Sequence, residues 1–222
     1  MDGINCILPT YEELTTDQVS KINNCSSVVR YKKGNVIFRQ DMPISHMLYV
    51  KSGLIKIHKE SGNEKNYIFK ITQPNCFIGL LSAFYRNIFQ YSATALTESE
   101  IIYIDINIFK EIIRENGRYA LHIMRLLSED GLTIFDKMIN TSQKQVPGRI
   151  AEVLIFFSQK IYSSNTFSLP LTRQELAEFV SSTKESVSRT LSEFKNDKLI
   201  EIDDRNIVIK SPDLIQVLSK IG

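Results

Sequence analysis

Residues 171–191, LTRQELAEFVSSTKESVSRTL, carry the start signals of two short helices joined by a polar turn. Thr172 is suited to be the N-cap of the first helix, and Glu175, three residues later, is suited to be its capping-box partner. Leu171 and Leu176 have the spacing of a hydrophobic staple across the same helix start. Because few chance segments satisfy all three signals, we predict a helix that begins directly after Thr172.

The second helix is predicted to begin near Thr183, where residues 181–183 offer three successive capping side chains. Val187, Leu191 and Phe194 follow at i, i+4 and i+7, which is the spacing of one helix face. These three residues are therefore the expected buried seam of the second helix.

The opposite face of the second helix is polar. A rotation of about 100° per residue from Val187 places Ser188 to one side and both Glu185 and Arg189 opposite the seam. Two short helices with a hydrophilic outer face on the second are typical of a DNA-reading helix-turn-helix, in which base edges meet that face.

A short hairpin is predicted after the second helix. Residues 199–202 and 207–209 are apolar or alternating, and the polar residues 203–206 separate them. A hairpin in this position forms the wing of a winged helix, which lies near the DNA phosphates while the second helix enters the major groove. The order of elements therefore favours a DNA-binding domain.

Four segments together resemble the CRP/FNR transcription regulators. LTRQEL at 171–176 and ESVSR at 185–189 are similar to the C-terminal signature of that family. FIGLL at 77–81 resembles the turn of its sensor domain, and GRIA at 148–151 resembles the helix that leads into its DNA-binding domain. The resemblance covers most of the chain and implies a homodimer on a palindromic site of double-stranded DNA, with RNA polymerase as a further partner.

The outer face of the second helix offers groups for base recognition. Glu185 can accept from a cytosine amino group, Arg189 can bind guanine O6 and N7, and Ser188 can add a hydrogen bond. Two alternatives stay open: Glu185 and Arg189 form an exposed i, i+4 ion pair, or Glu185 closes a capping box from Ser182.

The Glu-x-x-Ser-Arg order resembles the FNR branch, which implies TTGAT-like half-sites. The resemblance also places a second set of residues near the phosphates or in support of the reading helix. These are Thr172, Arg173, Thr183, Lys184 and Ser186.

The N-terminal half reads as closely spaced short strands. Apolar or alternating runs lie at 36–38, 47–50, 54–57, 67–69 and 101–104, and turn sequences separate them at 33–35, 52–53 and 61–63. We expect an antiparallel β-roll, a cupin-like jelly-roll of two sheets, because such closure hides sheet edges. The predicted fold class is α+β, with this roll, a long central helix and a C-terminal winged helix-turn-helix.

Asp105 is predicted to cap a helix that ends at Asn116-Gly117, and a long helix should follow from about 118 to 143. Apolar residues along it keep a 3–4 register, with a small residue for close approach, so we expect a parallel homodimer through this stripe. The alternative is that the stripe packs on its own roll. The stripe consists of Leu121, Met124, Gly131, Phe135 and Met138.

Pro147-Gly148 should break the long helix and begin another from Arg149 to Lys160. The predicted domains are accordingly residues 1–143, a cyclic-nucleotide-binding-like sensor with the dimerisation helix, and residues 144–222, the winged helix-turn-helix. The resemblance implies that the junction is a hinge through which an effector reorients the reading helices.

A candidate effector pocket follows from the resemblance, but its residues depart from the cyclic-AMP pattern. That pattern needs a carboxylate where Leu80 stands, an Arg-Ser pair where residues 89–92 read FQYS, and a polar pair from the long helix where Ile134 and Phe135 stand. An apolar effector, or none at all, is the expectation. The candidate pocket residues are Gly79, Leu80, Leu81, Ser82, Gln90, Tyr91, Ser92, Ile134 and Phe135.

Signals for a cofactor, a metal or an enzyme are missing from the sequence. Cys6, Cys25 and Cys76 form no C-x-x-C pair, and three scattered histidines suggest no ligand cluster. The sequence also lacks a nucleophile elbow, a phosphate-binding glycine loop and a zinc-protease motif. We therefore predict no cofactor, no metal and no catalytic residue. A winged helix that binds a protein partner and a cupin-like enzyme are the alternative functions.

The overall charge says little about DNA, since the formal net charge is only +2 and residues 141–222 hold eleven Lys and Arg against ten Asp and Glu. Any basic footprint must therefore be local. No apolar run approaches the roughly 20 residues that span a bilayer, and the chain opens without a signal-peptide pattern. We expect a cytoplasmic protein that does not contact membrane.

Overall fold

The computed structural model describes residues 13–61 and 65–221. Cys6, the chain start and the predicted turn residues 62 and 63 lie outside this part. The chain divides into two compact units, each made of two segments. The first unit is Met1–Glu60 with Lys70–Thr133, and the second is Ser61–Phe69 with Ile134–Gly222. The second unit thus includes part of a β-hairpin and the end of the long helix. The predicted domains are each continuous in sequence and meet at 143/144, and this boundary stays a prediction.

Two four-stranded sheets form the first unit, with strand orders β1-β8-β3-β6 and β2-β7-β4-β5. The pairs β1–β8, β3–β8, β3–β6, β2–β7 and β4–β7 are antiparallel. The predicted antiparallel double-sheet roll is confirmed. Its strands are β1 Ser26–Tyr31, β2 Val36–Phe38, β3 His46–Ser52, β4 Ile55–Ser61, β5 Lys65–Thr72, β6 Cys76–Ile78, β7 Ser92–Ala95 and β8 Ser99–Asp105.

The core of the roll centres on β3, where Met47, Leu48, Tyr49 and Val50 are all buried. Four consecutive buried residues mean that both faces of this strand are covered, in contrast to the alternation of a sheet with one wet face. Tyr49 pairs with Ile102 of β8, which is equally buried.

Gly53 shows why the predicted turn after β3 needs glycine. Its φ is +87°, and a Cβ there would lie 2.1 Å from Ser99 Oγ and 2.4 Å from the carbonyl oxygen of Glu98. Any side chain would therefore collide with the neighbouring backbone as well as strain its own.

The helices of the first unit are α1 Thr16–Asn24, α2 Leu80–Tyr85, α3 Ile106–Glu115 and the start of α4 Gly117–Gln143. The Asp105 carboxylate caps α3 by accepting from the backbone N–H groups of Asn107 and Ile108 at 2.8 and 3.2 Å, as predicted. Asn116 is extended, and its side-chain oxygen accepts from Tyr119 N at 3.1 Å. The break before α4 is confirmed because Asn116 ends one helix and caps the next.

The second unit contains α5 Val146–Ile155, a π-helical turn Phe156–Ile161, β9 Thr166–Ser168, α6 Arg173–Phe179, α7 Lys184–Asn196, β10 Ile200–Asp203, β11 Asn206–Ile209 and α8 Pro212–Ile221. The predicted helix from Arg149 to Lys160 was wrong at its start, whereas its predicted end lies one residue before the end of the π-helical turn. Helix α5 begins at Val146, since Pro147 is tolerated in a first helical turn, and its last turns widen from α to π. No helix of the described residues is long and apolar enough to span a membrane.

Candidate DNA interface

The start of α6 is fixed by a reciprocal capping box. The Thr172 hydroxyl accepts from Glu175 N at 3.1 Å, and the Glu175 carboxylate accepts from Thr172 N at 2.8 Å. Both Leu171 and Leu176 are buried. The predicted helix start is confirmed, and Thr172 and Arg173 accordingly lie at the N-terminal end of α6.

Helix α7 presents two faces of opposite character. Thr183 is its N-cap, as predicted, and the Thr183 hydroxyl accepts from Ser186 N at 3.2 Å. Val187, Leu191 and Phe194 are buried, which confirms the predicted seam. On the other side Lys184, Glu185, Ser188 and Arg189 are exposed, and Ser186 is half-buried.

The Glu185 carboxylate accepts from its own backbone N–H and from the Thr183 side chain, and these hydrogen bonds hold its pKa below the usual value. A capping box from Ser182 is wrong, because the N-cap is Thr183 and Glu185 lies two residues after it. Within the described part of the chain, no ion pair joins Glu185 to Arg189 within 4.0 Å. Both side chains are thus open to an external partner.

The turn between α6 and α7 is held by Arg149 of α5. One guanidinium nitrogen, Nη1, donates to the carbonyl oxygens of Val180 at 2.6 Å and Ser181 at 3.1 Å. These carbonyls lie at the C-terminal end of α6, where the helix dipole also favours a cation. Ser181 has φ +52°, so the turn places a non-glycine residue in the left-handed region, where glycine would be less strained.

The wing is a three-stranded sheet of order β10-β11-β9 with a two-residue tip, Asp204-Arg205. Arg173 of α6 donates from Nη2 to the Asp204 carbonyl oxygen at 3.2 Å, which fixes the wing tip to the helix start. Partial burial lowers the pKa of Arg173, but a guanidinium stays charged at neutral pH.

A cavity of about 280 Å³ lies between the wing and the helix starts. Three basic side chains, from Arg173, Lys184 and Arg205, line it together with Thr172. These side chains form a local basic cluster, and Asp204 adds one acidic residue to the same lining. Sequence reasoning missed Arg205, although a cation at the centre of a predicted wing turn was a usable signal.

In the roll, the candidate effector residues of the first unit surround the start of α2. Gly79 has φ +94°, and a Cβ there would lie 2.9 Å from Phe89 Cε1. Leu80, Ser82 and Ser92 are buried, whereas Leu81 is exposed. Ile134 and Phe135 belong to the second unit and are exposed on α4.

Polar groups around this turn are bonded to the chain itself. The Ser82 hydroxyl accepts from Gln90 N at 3.1 Å, and the Ser92 hydroxyl accepts from Gln40 N at 3.0 Å. Burial of the Tyr91 phenol raises its pKa to about 12, and interactions with Ser82 and the Gly79 backbone oppose that shift.

Comparison with known proteins matches both halves of the chain. Residues 28–116 match the family model of the cyclic nucleotide-binding domain, and residues 148–217 match that of the Crp-like helix-turn-helix domain. This chain belongs to the CRP/FNR family of transcription regulators. The anaerobic regulatory protein of Bacillus subtilis is 24% identical to it over 88% of this chain and 84% of that protein.

Two further similarities cover similar spans. Electron transport regulator A of Shewanella oneidensis is 27% identical over 93% of this chain and 83% of that protein. A solved structure from Eubacterium rectale, described as a transcriptional regulator of the crp/fnr family, has a TM-score of 0.81 at 21% identity and covers 96% of this chain and 98% of that one. The fold of this CRP/FNR regulator is therefore that of a sensor roll followed by a DNA-binding winged helix.

A cyclic nucleotide, which the first family model implies, does not fit the residues of this regulator. Leu80 stands where the pattern needs a carboxylate for the ribose hydroxyl, and its side chain is apolar and only 2% exposed. The segment that should neutralise the cyclic phosphate holds Tyr91 and Ser92, neither of them a cation. No step of the function is therefore assigned to a cyclic nucleotide.

Helix α4 of this CRP/FNR regulator carries an uncovered apolar stripe. Leu121, Met124, Phe135 and Met138 are each more than 60% exposed. Nothing lies within 4 Å of the position that a Cβ on Gly131 would take, so another helix has room to approach there. The alternative that this stripe packs on its own roll does not agree with the exposure of these side chains.

Histidine and cysteine side chains form no candidate metal centre in the described ranges. His58 is buried and shares a hydrogen bond of 2.9 Å between its Nε2 and Thr94 Oγ1. Cys25 and Cys76 are free thiols, and burial raises the pKa of Cys76.

Proposed function

We propose that this regulator is a homodimer that reads a palindromic DNA site with the exposed face of α7. The observation that carries the proposal is the exposure of Glu185, Ser188 and Arg189 opposite the buried seam of Val187 and Leu191. A recognition helix docked in the major groove needs this division between a buried face and a polar face.

Each exposed residue has a distinct role in the proposed readout. Arg189 donates two hydrogen bonds to guanine O6 and N7, and the ionised Glu185 accepts from the N4 amino group of a cytosine. Ser188 contributes a hydrogen bond to either kind of base edge. By its similarity to the FNR branch, the half-site is TTGAT-like.

Phosphate contacts come from the basic cavity beside the wing. Arg173, Lys184 and Arg205 line it, and Thr172 lies next to them. Thr183 and Ser186 support these contacts by fixing the start of α7. Such contacts set the register of the protein on the duplex without reading its sequence.

Dimerisation uses the stripe on α4, which runs at heptad-like spacing through Leu121, Met124, Gly131, Phe135 and Met138. Burying this apolar surface in a parallel coiled coil removes side chains from water that the single chain leaves exposed. Two reading helices about one DNA turn apart then meet the two half-sites.

The sensor roll is proposed to work without cyclic AMP. Either an apolar effector enters near Leu80, Leu81 and Gln90, or the turn is permanently filled by its own side chains. RNA polymerase is the proposed protein partner, the cytoplasm the proposed location, and no catalysis or membrane contact is assigned.

The test is selection of duplexes from a random DNA library by the purified, ligand-free protein at a stated salt concentration. We expect a palindrome, and Arg189→Ala should relax the preference at one base pair by about 1–3 kcal/mol. Arg114→Ala, which removes an exposed arginine from α3, is the matched control and should leave the selected sequence unchanged.

A winged helix that serves as a protein-binding surface predicts a different result. It would give only weak, salt-sensitive and sequence-blind DNA retention, and Arg189→Ala would then have no effect on base preference. That outcome would mean either that an effector for the sensor turn is required before α7 binds DNA or that the wing serves another partner.

A further inference from the structure

A lysine on α4 joins three separate elements of the second unit. The Lys137 ammonium donates to the carbonyl oxygen of Ile68 in β5 at 2.7 Å. The same nitrogen lies 3.8 Å from the centroid of the Phe179 ring, at the last residue of α6. One cation therefore contacts a β-hairpin strand and the first helix of the helix-turn-helix.

The surroundings of Lys137 make these contacts strong for a lysine. Its ammonium is largely buried, which lowers its pKa to about 7, and the charge of Glu152 on α5 opposes that shift. Glu152 is itself bonded to Lys144 Nζ at 3.1 Å and to Asn140 Nδ2 at 2.9 Å. Removal from water strengthens the attraction between a cation and an aromatic ring.

The hairpin segment next to this lysine reaches the start of the reading helix. Residues 66–69 belong to the same compact unit as α6 and α7. Asn66 and Tyr67 line a cavity of about 450 Å³ whose other walls include Thr183, Lys184 and Glu185. Ser188 and Arg189 stay exposed, whereas Glu185 shares this cavity with the two hairpin residues.

The end of α6 is thus held by two cations. Arg149 binds the carbonyl oxygens of Val180 and Ser181, and Lys137 lies over the ring of the residue just before them. A shift of this end would displace the turn and with it the start of α7.

We propose that Lys137 is a positioning residue for DNA reading: it latches residues 66–69 and Phe179 together, and so fixes the helix-turn-helix on the end of α4. The inference rests on the proposed function, since it concerns how well α7 is placed for its DNA site. The same end of α4 carries Phe135 and Met138 of the dimer stripe, so the latch links the helix-turn-helix to that part of the stripe.

The experiment compares full-length wild type with Lys137→Met, Lys137→Arg and the matched control Lys220→Met, which removes an exposed lysine from α8. Binding to the selected palindrome is measured from pH 6 to pH 8.5. We expect Lys137→Met to weaken binding about five- to tenfold relative to Lys220→Met at pH 6, because the substitution removes the interactions with the ring and the carbonyl oxygen.

The pH profile separates positioning from a general folding defect. Lys137 loses its charge as the pH rises through about 7, so the difference between wild type and Lys137→Met should shrink above that pH. Lys137→Arg keeps its charge throughout and should bind with a flat profile close to that of wild type at pH 6. Equal binding by Lys137→Met and Lys220→Met at every pH would overturn the proposal.

Amide hydrogen exchange tests the latch without DNA. In Lys137→Met, the amides of residues 66–69 and of the end of α6 should exchange faster than in wild type, while those of β3 stay unchanged. Unchanged exchange at residues 66–69 would refute the latch. If wild type bound no duplex sequence-specifically but the exchange difference appeared, the proposed function would fail and the latch itself would stand.

Discussion

On helix α7, Glu185, Ser188 and Arg189 are exposed, whereas at the start of α2 in the roll Ser82, Ser92 and Tyr91 bond to their own chain. The first set is exposed to solvent, although Glu185 also bonds to its own chain, whereas Ser82 and Ser92 are buried and bonded internally. A polar ligand at the α2 turn would have to replace internal hydrogen bonds worth about 1 kcal/mol each. The comparison supports the proposed DNA recognition by α7 and disfavours a polar ligand at the sensor turn.

Gly79→Ala tests how tightly the sensor turn is filled, and we expect the largest effect from it. The new side chain would have a left-handed φ, and its Cβ would lie 2.9 Å from the Phe89 ring. That ring cannot easily move, because it stacks on Phe38 with 3.7 Å between the centroids. We therefore expect the substitution to lower the unfolding free energy by about 3 kcal/mol. Gly34→Ala is the control, with a similar φ but open space, and should cost about 1 kcal/mol. Urea denaturation followed by tyrosine fluorescence measures both, and equal costs would mean that the turn has room for a ligand.

Tyr91→Phe tests the burial of the phenol at the sensor turn through its pH dependence. Because the folded-state pKa of Tyr91 is raised to about 12, its contribution to stability is present below pH 10 and is lost as the pH rises from 10 to 12. The wild type should therefore lose about 2 kcal/mol more than Tyr91→Phe over this range. Exposed Tyr85→Phe should keep the wild-type loss, and an identical loss in all three proteins would refute the burial of the Tyr91 phenol as its cause.

Thr172→Ala examines the reading side of the comparison. Removal of the cap leaves Glu175 N without its acceptor and should lower the unfolding free energy by about 1 kcal/mol. Thr172→Ser keeps the hydroxyl and should stay within a few tenths of a kcal/mol of wild type. Thermal unfolding measures the difference, and a Ser variant as unstable as the Ala variant would contradict capping as the cause.

Arg205→Ala should change stability least, because its role lies in the complex with DNA. Removing one cation from the phosphates should reduce the slope of log affinity against log salt by about 0.9. Binding titrations at several salt concentrations measure this slope, with exposed Arg118→Ala of α4 as the control. Base preference should not change, and a relaxed base preference would assign Arg205 to readout instead.

The helix-turn-helix and the break before α4 could be predicted because their signals are local. Thr172 and Glu175 lie three residues apart, and Asp105 and Asn116 each cap within one turn. Strand β9 escaped prediction because Thr166–Ser168 is only three residues long and is stabilised by pairing with distant β11. The π-helical turn also escaped, because an apolar pattern with a period near 3.6 does not distinguish a local widening of the helix.

In the candidate interface, too, the local features could be predicted and the long-range contacts could not. Exposure of Glu185 and Arg189 followed from the helix period, because Val187 anchors the buried face. The contacts of Arg149 and Lys137 could not be predicted, since both bring together residues that are 31 to 69 positions apart in sequence. For neither side chain does the neighbouring sequence indicate which distant residue it contacts.

The discontinuity of the second unit has a consequence for dissecting the protein. A C-terminal fragment cut at 143/144 would retain α6, α7 and the wing but lose Lys137 and residues 66–69, which belong to the same unit. The Phe179 ring would then lack its contact with the Lys137 ammonium. Of the two cations that contact the end of α6, only Arg149 would remain. Excision of a minimal DNA-binding domain should therefore start upstream of Lys137, and supplying the hairpin segment as a separate peptide would complete the unit.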